Sequence, residues 1–204
     1  MTKLEPILKG RQHYDEKYVK VNGEDCYDLN CVDSITKFVT AHLFVDKRTK
    51  ENCVKFLSQI KEKCYNQILT KYFVKKYFDK NAKLITFVCD GFGNYKRAWS
   101  KLFYRVAELK FGVPIACKKF GLKHNNNQVE RYNGKIKDRL NCMRGEFKSF
   151  SYAEDFMNLQ HIMNNFVNPH QQLGGKTPAE KAGIKLKLGR NKLLGLIRFL
   201  ARSK

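Results

Sequence analysis

The sequence predicts an α/β fold built on a mixed five-stranded sheet with helices on both faces. Three observations support this. Apolar residues alternate along the segments near the start of the chain. They then recur at helical spacing in longer segments, and two short apolar runs lie between the first three of these helical segments. The 204 residues suit one domain of ordinary size, and 43% hydrophobic residues are enough for a core.

Residues 13–45 are predicted to form three short strands. Asn22-Gly23 separates the first two, and this dipeptide is typical of a tight hairpin turn. Val32-Asp33-Ser34 marks the second turn, and the following TKFVTAHLFV alternates well enough for a third strand. Strands connected in this way form an antiparallel meander.

Helical and strand segments alternate after the meander. Apolar residues recur at helical spacing over residues 49–78, and KLITFVCDG is typical of a buried strand that ends in a turn. NYKRAWSKLFYRVAELKFG is predicted as one helix that Gly112 ends, and VPIACKKF as the fifth strand. Two more helices are predicted in KHNNNQVERYNGKIKDRL and SYAEDFMNLQHIMNNFVN. The inward side chains of the second are expected to be Phe156, Leu159, Met163 and Phe166.

This order of elements matches the RNase H-like fold, in which βαβ-type units extend a three-stranded meander. We predict that residues 1–168 form this domain and that residues 169–204 form a basic C-terminal extension of a loop and short helices. In that extension, Thr177, Pro178 and Glu180 stand at the N-cap, first and third positions of a helix.

The composition is strongly basic, with 40 Lys and Arg against 19 Asp and Glu and a net charge of +21. Because the basic residues are spread along the chain, they indicate an extended positive surface, for which nucleic acid is the usual partner. A basic binding protein without catalysis is the alternative. No apolar run is long enough to cross a bilayer, so we expect a cytoplasmic, nucleoid-associated protein. The seven cysteines show no zinc-binding spacing and are expected to be buried thiols.

Three acids fall where this fold brings elements together. Asp15 lies on the first strand, Asp90 ends the fourth, and Glu130 is near the start of the helix that follows. Neighbouring carboxylates repel one another unless a cation lies between them, and oxygen ligands suit Mg²⁺ or Mn²⁺. Two such ions can activate an attacking water or hydroxyl and stabilise the leaving oxygen at a phosphodiester.

Each acid also has a plainer interpretation. Asp15 could face solvent, Asp90-Gly91 could be only a turn, and Glu130 could pair with Lys137 or favour the helix start. Their occurrence together, in the order that one fold requires, favours catalysis. Asp33 competes for the role on the first strand, but its neighbours form a turn and indicate a structural role. Asp25, Asp28 and Asp79 have no comparable context.

Polar and basic residues around Glu130 are predicted to contact the DNA backbone. They are Lys119, Lys123, Asn126, Arg131, Lys137 and Arg144.

Three stretches of the sequence, HYDEKYVKVNG, ITFVCDGFGNY and KHNNNQVERYNGKIKDRLNCMRGEFKS, resemble the DDE transposases of bacterial and archaeal insertion sequences, which are relatives of the retroviral integrases. A fourth, NNFVNPHQQLGGKTPAEKAGI, resembles the segment that commonly follows their catalytic core. The resemblance implies an Asp, Asp, Glu triad at Asp15, Asp90 and Glu130. It also implies strand cleavage and transfer at transposon ends without a covalent protein–DNA intermediate, by a homo-oligomer assembled on DNA.

The sequence departs from this family at its start. Such transposases usually carry an N-terminal module that recognises the transposon ends, whereas 14 residues precede Asp15 here. We therefore expect a truncated copy, one product of a split gene, or a protein whose end recognition lies in a separate domain. Two alternatives stay open: a different RNase H-like nuclease, or a non-catalytic remnant that binds DNA.

Overall fold

The computed structural model describes residues 4–112 and 125–202. Its five-stranded sheet has the order β3-β2-β1-β4-β5. The strands are β1 Gln12–Val21, β2 Glu24–Asp33, β3 Val39–Val45, β4 Thr86–Cys89 and β5 Glu108–Phe111. The first three strands pair antiparallel, and β4 pairs parallel with both β1 and β5. The predicted fold class, an α/β fold with a mixed RNase H-like sheet, is confirmed.

The helices cover both faces of this sheet. They are α1 Lys50–Phe73, α2 Gly93–Phe103, α3 Asn127–Asn141, α4 Phe150–Ile162, α5 Pro178–Lys181 and α6 Lys192–Arg202. A π-helical turn extends α1 over Val74–Phe78, and another extends α4 over Met163–Val167. The predicted hairpin turn is confirmed, since Asn22 and Gly23 both have positive φ angles, of 51° and 86°.

Two apolar cores lie on opposite faces of the sheet. On one face, Tyr14 of β1 packs edge-on against Tyr95 of α2, and both belong to a cluster that includes Phe56 of α1. On the other face, Val129 of α3 and Met157 of α4 are buried against β1, β2 and β3. Five cysteines are buried, as expected: Cys26, Cys31, Cys53, Cys64 and Cys89. Cys142 is exposed, against the expectation, and Cys117 lies outside the described residues.

The predicted boundary between α2 and the fifth strand is wrong. The helix ends at Phe103, the chain turns through Arg105 with a φ of 70°, and Glu108–Phe111 adds to the sheet beside β4. Val106 continues the helical spacing of apolar residues but is half-buried in the turn. The segment VPIACKKF, predicted as the fifth strand, lies outside the described residues.

Gly112 permits a close approach at the end of β5; it does not end a helix. Its N–H donates to the Cys89 carbonyl oxygen at 2.6 Å. A Cβ atom at this position would lie 3.0 Å from the Cβ of Asn126 and 3.1 Å from Cγ1 of Val88. The residue therefore lets the start of α3 pack directly on β4 and β5.

The predicted inward face of α4 is right only in part. Phe156 and Phe166 pack against core clusters, as predicted, but Leu159 is exposed. The buried stripe of the helix is Ala153, Met157 and His161. His161 is buried because its ring forms hydrogen bonds with Asp28 and Tyr132. A search for apolar periodicity passes over a polar residue of this kind.

The C-terminal segment packs beside the start of β3. Thr177 caps α5 in a capping box with Glu180, as predicted. Ala179, Ala182 and Ile184 form a small core with Phe38. The division at residue 168 remains a prediction. Within residues 4–112 and 125–202, no helix is long and apolar enough to span a membrane.

Candidate metal and nucleic-acid site

Strands β1 and β4 bring two of the predicted acids together. Gln12 and His13 pair in parallel with Phe87 and Val88, so the chain just after β4 runs beside the middle of β1. Carboxylate oxygens of Asp15, Glu16 and Asp90 all lie within 4.8 Å of one another. The middle of β1 and the end of β4 thus form an acidic cluster.

Two buried asparagines hold α3 against β1. Asn126 donates from Nδ2 to the Tyr14 carbonyl oxygen at 3.2 Å, and its Oδ1 lies 3.2 Å from Nδ1 of His13. Asn133 donates from Nδ2 to the Glu16 carbonyl oxygen, also at 3.2 Å. Because a hydrogen bond to a buried backbone group is costly to lose, these two contacts fix the position of the helix.

Glu130 lies on the helix between those contacts. Residues four and seven positions apart share one side of an α-helix, so Asn126, Glu130 and Asn133 form one stripe. The two asparagines bond to the carbonyl groups on either side of Asp15 in the chain. This arrangement places Glu130, which is exposed, on the side of α3 that meets β1 at Asp15.

The electrostatics of Asp15 support a site for a cation. The pKa of Asp15 is raised from 3.8 to about 7, chiefly by burial and in addition by the charges of Glu16, Asp90 and Glu130. These carboxylates therefore destabilise one another when ionised. A hard divalent ion bound through oxygen would relieve this repulsion, so the donor set fits Mg²⁺ or Mn²⁺.

The structural roles considered for the acids hold for Asp90 but not for a pair between Glu130 and Lys137. Asp90 does shape its turn, since Oδ1 accepts a hydrogen bond from the Phe92 N–H at 3.0 Å. Across the described part of the chain, the ion pairs do not include one between Glu130 and Lys137. Asp33 is structural, as predicted, because it accepts five hydrogen bonds around the β2–β3 turn.

Glu16 is an acid of the cluster that the sequence analysis missed. It accepts a hydrogen bond from the Tyr95 hydroxyl at 2.8 Å and forms an ion pair with Arg48. The Arg48 guanidinium lies over the rings of Tyr27 and Phe92, at 4.9 and 4.7 Å from their centroids. Since both oxygens of Glu16 are already engaged, Asp15 and Asp90 are the better metal ligands. Its position next to Asp15 in YDEKY was the only signal for it in the sequence.

Basic side chains continue from the acids along the same surfaces. Lys17 follows Asp15 on one face of β1, and Lys137 follows Glu130 by two turns of α3. Lys17 and Lys137 line one pocket, and burial together with the charge of Lys137 lowers the pKa of Lys17. This pair of ammonium groups is suited to binding a phosphate.

A second basic surface lies on the other side of α3. Lys37, Arg131, Lys135 and His170 line one pocket. The pKa of Lys37 is lowered, chiefly by burial; the charge of Asp33 opposes this effect, and the charges of Arg131 and Lys135 add to it. Lys37 lies in the β2–β3 turn and was not predicted from the sequence, because that turn carries no basic cluster. The surface is suited to an anion.

The predicted DNA contacts fall into three groups. Arg131, Lys137 and Arg144 are exposed on or just after α3. Asn126 is buried, and its hydrogen bonds suit it to positioning α3 rather than to binding a phosphate. Lys119 and Lys123 lie outside the described residues.

The strand order and the mixture of parallel and antiparallel pairs define an α/β domain with an RNase H-like fold. No family model and no curated protein matches the sequence. A chain of the simian T-cell lymphotropic virus intasome, solved by cryoEM in complex with the PP2A regulatory subunit B56 gamma, is 12% identical with a TM-score of 0.51. The alignment covers 91% of this chain and 58% of that chain.

Two integrase structures are similar at lower TM-scores. The HTLV-2 integrase catalytic core domain in complex with magnesium, in its trimeric form, is 16% identical with a TM-score of 0.49, over 87% of this chain and 99% of that one. The catalytic core domain of BIV integrase is 15% identical with a TM-score of 0.44, over 94% and 97%. The likeness to the intasome chain shows a shared fold, and this chain spans 58% of its length.

Proposed function

We propose that this protein is a polynucleotidyl transferase of the transposase and integrase type, which cleaves and joins DNA strands at transposon ends. The observation that carries the proposal is the convergence of Asp15 and Asp90 at the side of α3 that bears Glu130, next to the lysines of β1 and α3. An acidic cluster beside a basic surface suits a divalent cation and a phosphodiester.

The proposed metal ligands are Asp15, Asp90 and Glu130, and the ions are Mg²⁺ or Mn²⁺, two in number. When bound, such ions activate the attacking oxygen and stabilise the leaving oxygen. Asn126 and Asn133 hold α3 so that Glu130 stays opposite β1. The ion pair between Arg48 and Glu16 keeps this neighbouring carboxylate out of the ligand set.

The proposed substrate contacts are made by Lys17 and Lys137 near the acids, and by Arg131 and Arg144 farther along α3. Lys119 and Lys123 remain proposed contacts from the sequence. Because phosphate contacts position DNA without reading its bases, recognition of the transposon ends requires other residues or a separate domain. The enzyme would act on chromosomal DNA in the cytoplasm, as a homo-oligomer on DNA.

A strand-transfer assay separates this proposal from its two alternatives. The substrates are a pre-cut DNA end, with a second duplex as the target, and a branched disintegration substrate that depends less on end recognition. The proposal predicts Mg²⁺-dependent joined products from at least the branched substrate. Hydrolysis of a nucleic acid without joining would favour an RNase H-like nuclease, and binding without either reaction would favour a non-catalytic remnant.

A further inference from the structure

A polar cluster is buried between the sheet and helices α3 and α4, away from the acidic site. His161 of α4 lies with Nε2 2.9 Å from Oδ2 of Asp28 and with Nδ1 2.6 Å from the Tyr132 hydroxyl. The ring of His42 stacks on that of His161, with centroids 4.1 Å apart. Asp28, Tyr132 and His161 are buried, and His42 is half-buried.

Two polar atoms of this cluster lack a partner within the part of the chain that the structure describes. Oδ1 of Asp28 and Nδ1 of His42 are buried and accept or donate no hydrogen bond among the described residues. Buried polar atoms are nearly always satisfied, and one left unpaired costs about 1–3 kcal/mol. Two such atoms, on side chains that touch the same histidine, indicate a missing common partner.

We propose that Asp28, His42 and His161 form a binding site for a zinc-type divalent ion, separate from the acidic site. One ligand atom from each residue lies within 4.8 Å of the other two. A tetrahedral ion with bonds of about 2.0–2.1 Å holds its ligands about 3.4 Å apart, so binding requires the ligand atoms to close up and the stacked His42 ring to turn toward the ion. Two imidazoles and one carboxylate favour zinc over magnesium, which prefers oxygen alone.

Tyr132 completes the arrangement that metal-binding histidines usually show. A ligating imidazole donates its other ring N–H to a nearby acceptor, which fixes the orientation of the ring. With Nε2 of His161 on the ion, Nδ1–H donates to the Tyr132 hydroxyl at 2.6 Å. The ion would join β2, β3 and α4 and, through Tyr132, support α3 two residues from Glu130. Its role is therefore structural, and the proposal does not depend on the proposed strand transfer.

Cobalt(II) titration tests the site, because cobalt substitutes for zinc and absorbs visible light strongly in four-coordinate sites with nitrogen ligands. An untagged full-length chain is stripped with a chelator and titrated with Co²⁺ in excess Mg²⁺, which occupies oxygen-only sites. We expect an absorption band that saturates at about one ion per chain. Zinc should abolish the band and raise the melting temperature.

Two variants locate the ion. His42→Phe keeps an aromatic ring stacked on His161 but removes its nitrogen atoms, so the affinity for Co²⁺ should fall at least about tenfold. Asp90→Asn disables the acidic site and should leave the cobalt band unchanged, which separates this proposal from the proposed function. Circular dichroism confirms that each variant is folded. The absence of a band in the wild type, or a band that is lost in Asp90→Asn and kept in His42→Phe, would overturn the proposal.

Discussion

Replacing Asp15 by Asn should stabilise the metal-free protein while it abolishes the response to Mg²⁺. Burial and the neighbouring acids raise the pKa of Asp15 from 3.8 to about 7. One pKa unit corresponds to about 1.4 kcal/mol, so the ionised side chain lowers the free energy of unfolding by at most about 4 kcal/mol. Asparagine has nearly the same shape and carries no charge, so this loss is absent from the variant.

The effect of Asp15 depends on pH in a defined direction. Because the folded state has the higher pKa, it retains a proton between pH 3.8 and about 7 that the unfolded state has lost. The contribution of Asp15 to stability therefore falls as the pH rises through this window, and the loss is complete above pH 7. Wild type and Asp15→Asn should be nearly equal at about pH 4 and differ most at about pH 8.

Urea denaturation measures this difference in chelator and in Mg²⁺. In chelator at about pH 8, Asp15→Asn should unfold at a higher urea concentration than the wild type. Mg²⁺ should stabilise the wild type and have little effect on the variant. The matched control is Asp155→Asn, which changes an exposed acid of α4 and should shift neither curve. A variant less stable than the wild type at about pH 8, or equally stabilised by Mg²⁺, would refute the reasoning.

Three further predictions concern the surroundings of the site. Gly112→Ala should lower the free energy of unfolding by about 1–3 kcal/mol in urea titrations, since its Cβ would lie 3.0 Å from that of Asn126; an unchanged midpoint would contradict this. Asn126→Ala should cost about 2–4 kcal/mol, because it leaves a buried carbonyl group and a histidine nitrogen unpaired, and Mg²⁺ should not restore that loss. Arg131→Gln should reduce by about 1 the slope of log affinity for random duplex DNA against log salt concentration. The control Lys55→Gln, on the exposed face of α1, should leave this slope unchanged.

Local patterns predicted the parts of the fold that local interactions determine. The Asn22-Gly23 turn and the first three strands follow from turn chemistry and alternation, and the capping box at Thr177 follows from its spacing. The end of α2 could not be predicted in this way. Val106 continues the apolar spacing of the helix although it lies in a half-buried turn, so the spacing does not show where the helix ends. The pairing of β5 with β4 depends on residues distant in sequence.

The sequence likewise predicted only part of the candidate site. The fold topology predicted that Asp15 and Asp90 would meet, because the end of β4 lies beside the middle of its parallel neighbour β1. The role of Glu16 depends on an arginine 32 positions away, and no periodicity shows that contact. The buried position of Asp28 likewise depends on a histidine 133 positions away, so the sequence offered no context for it.

The most direct test of the proposed triad compares Glu130→Gln with Glu16→Gln in the joining of a branched DNA substrate. Both changes remove one carboxylate charge near Asp15, but only Glu130 is proposed to bind the metal. We predict that Glu130→Gln lowers the Mg²⁺-dependent rate by orders of magnitude while metal-free DNA affinity is unchanged or slightly higher. Glu16→Gln keeps an oxygen to accept from Arg48 and an amide N–H that the Tyr95 hydroxyl can accept, so its rate should remain within about tenfold of the wild type. Joining by Glu130→Gln at the parental rate, or an equal loss in both variants, would contradict the assignment of the triad.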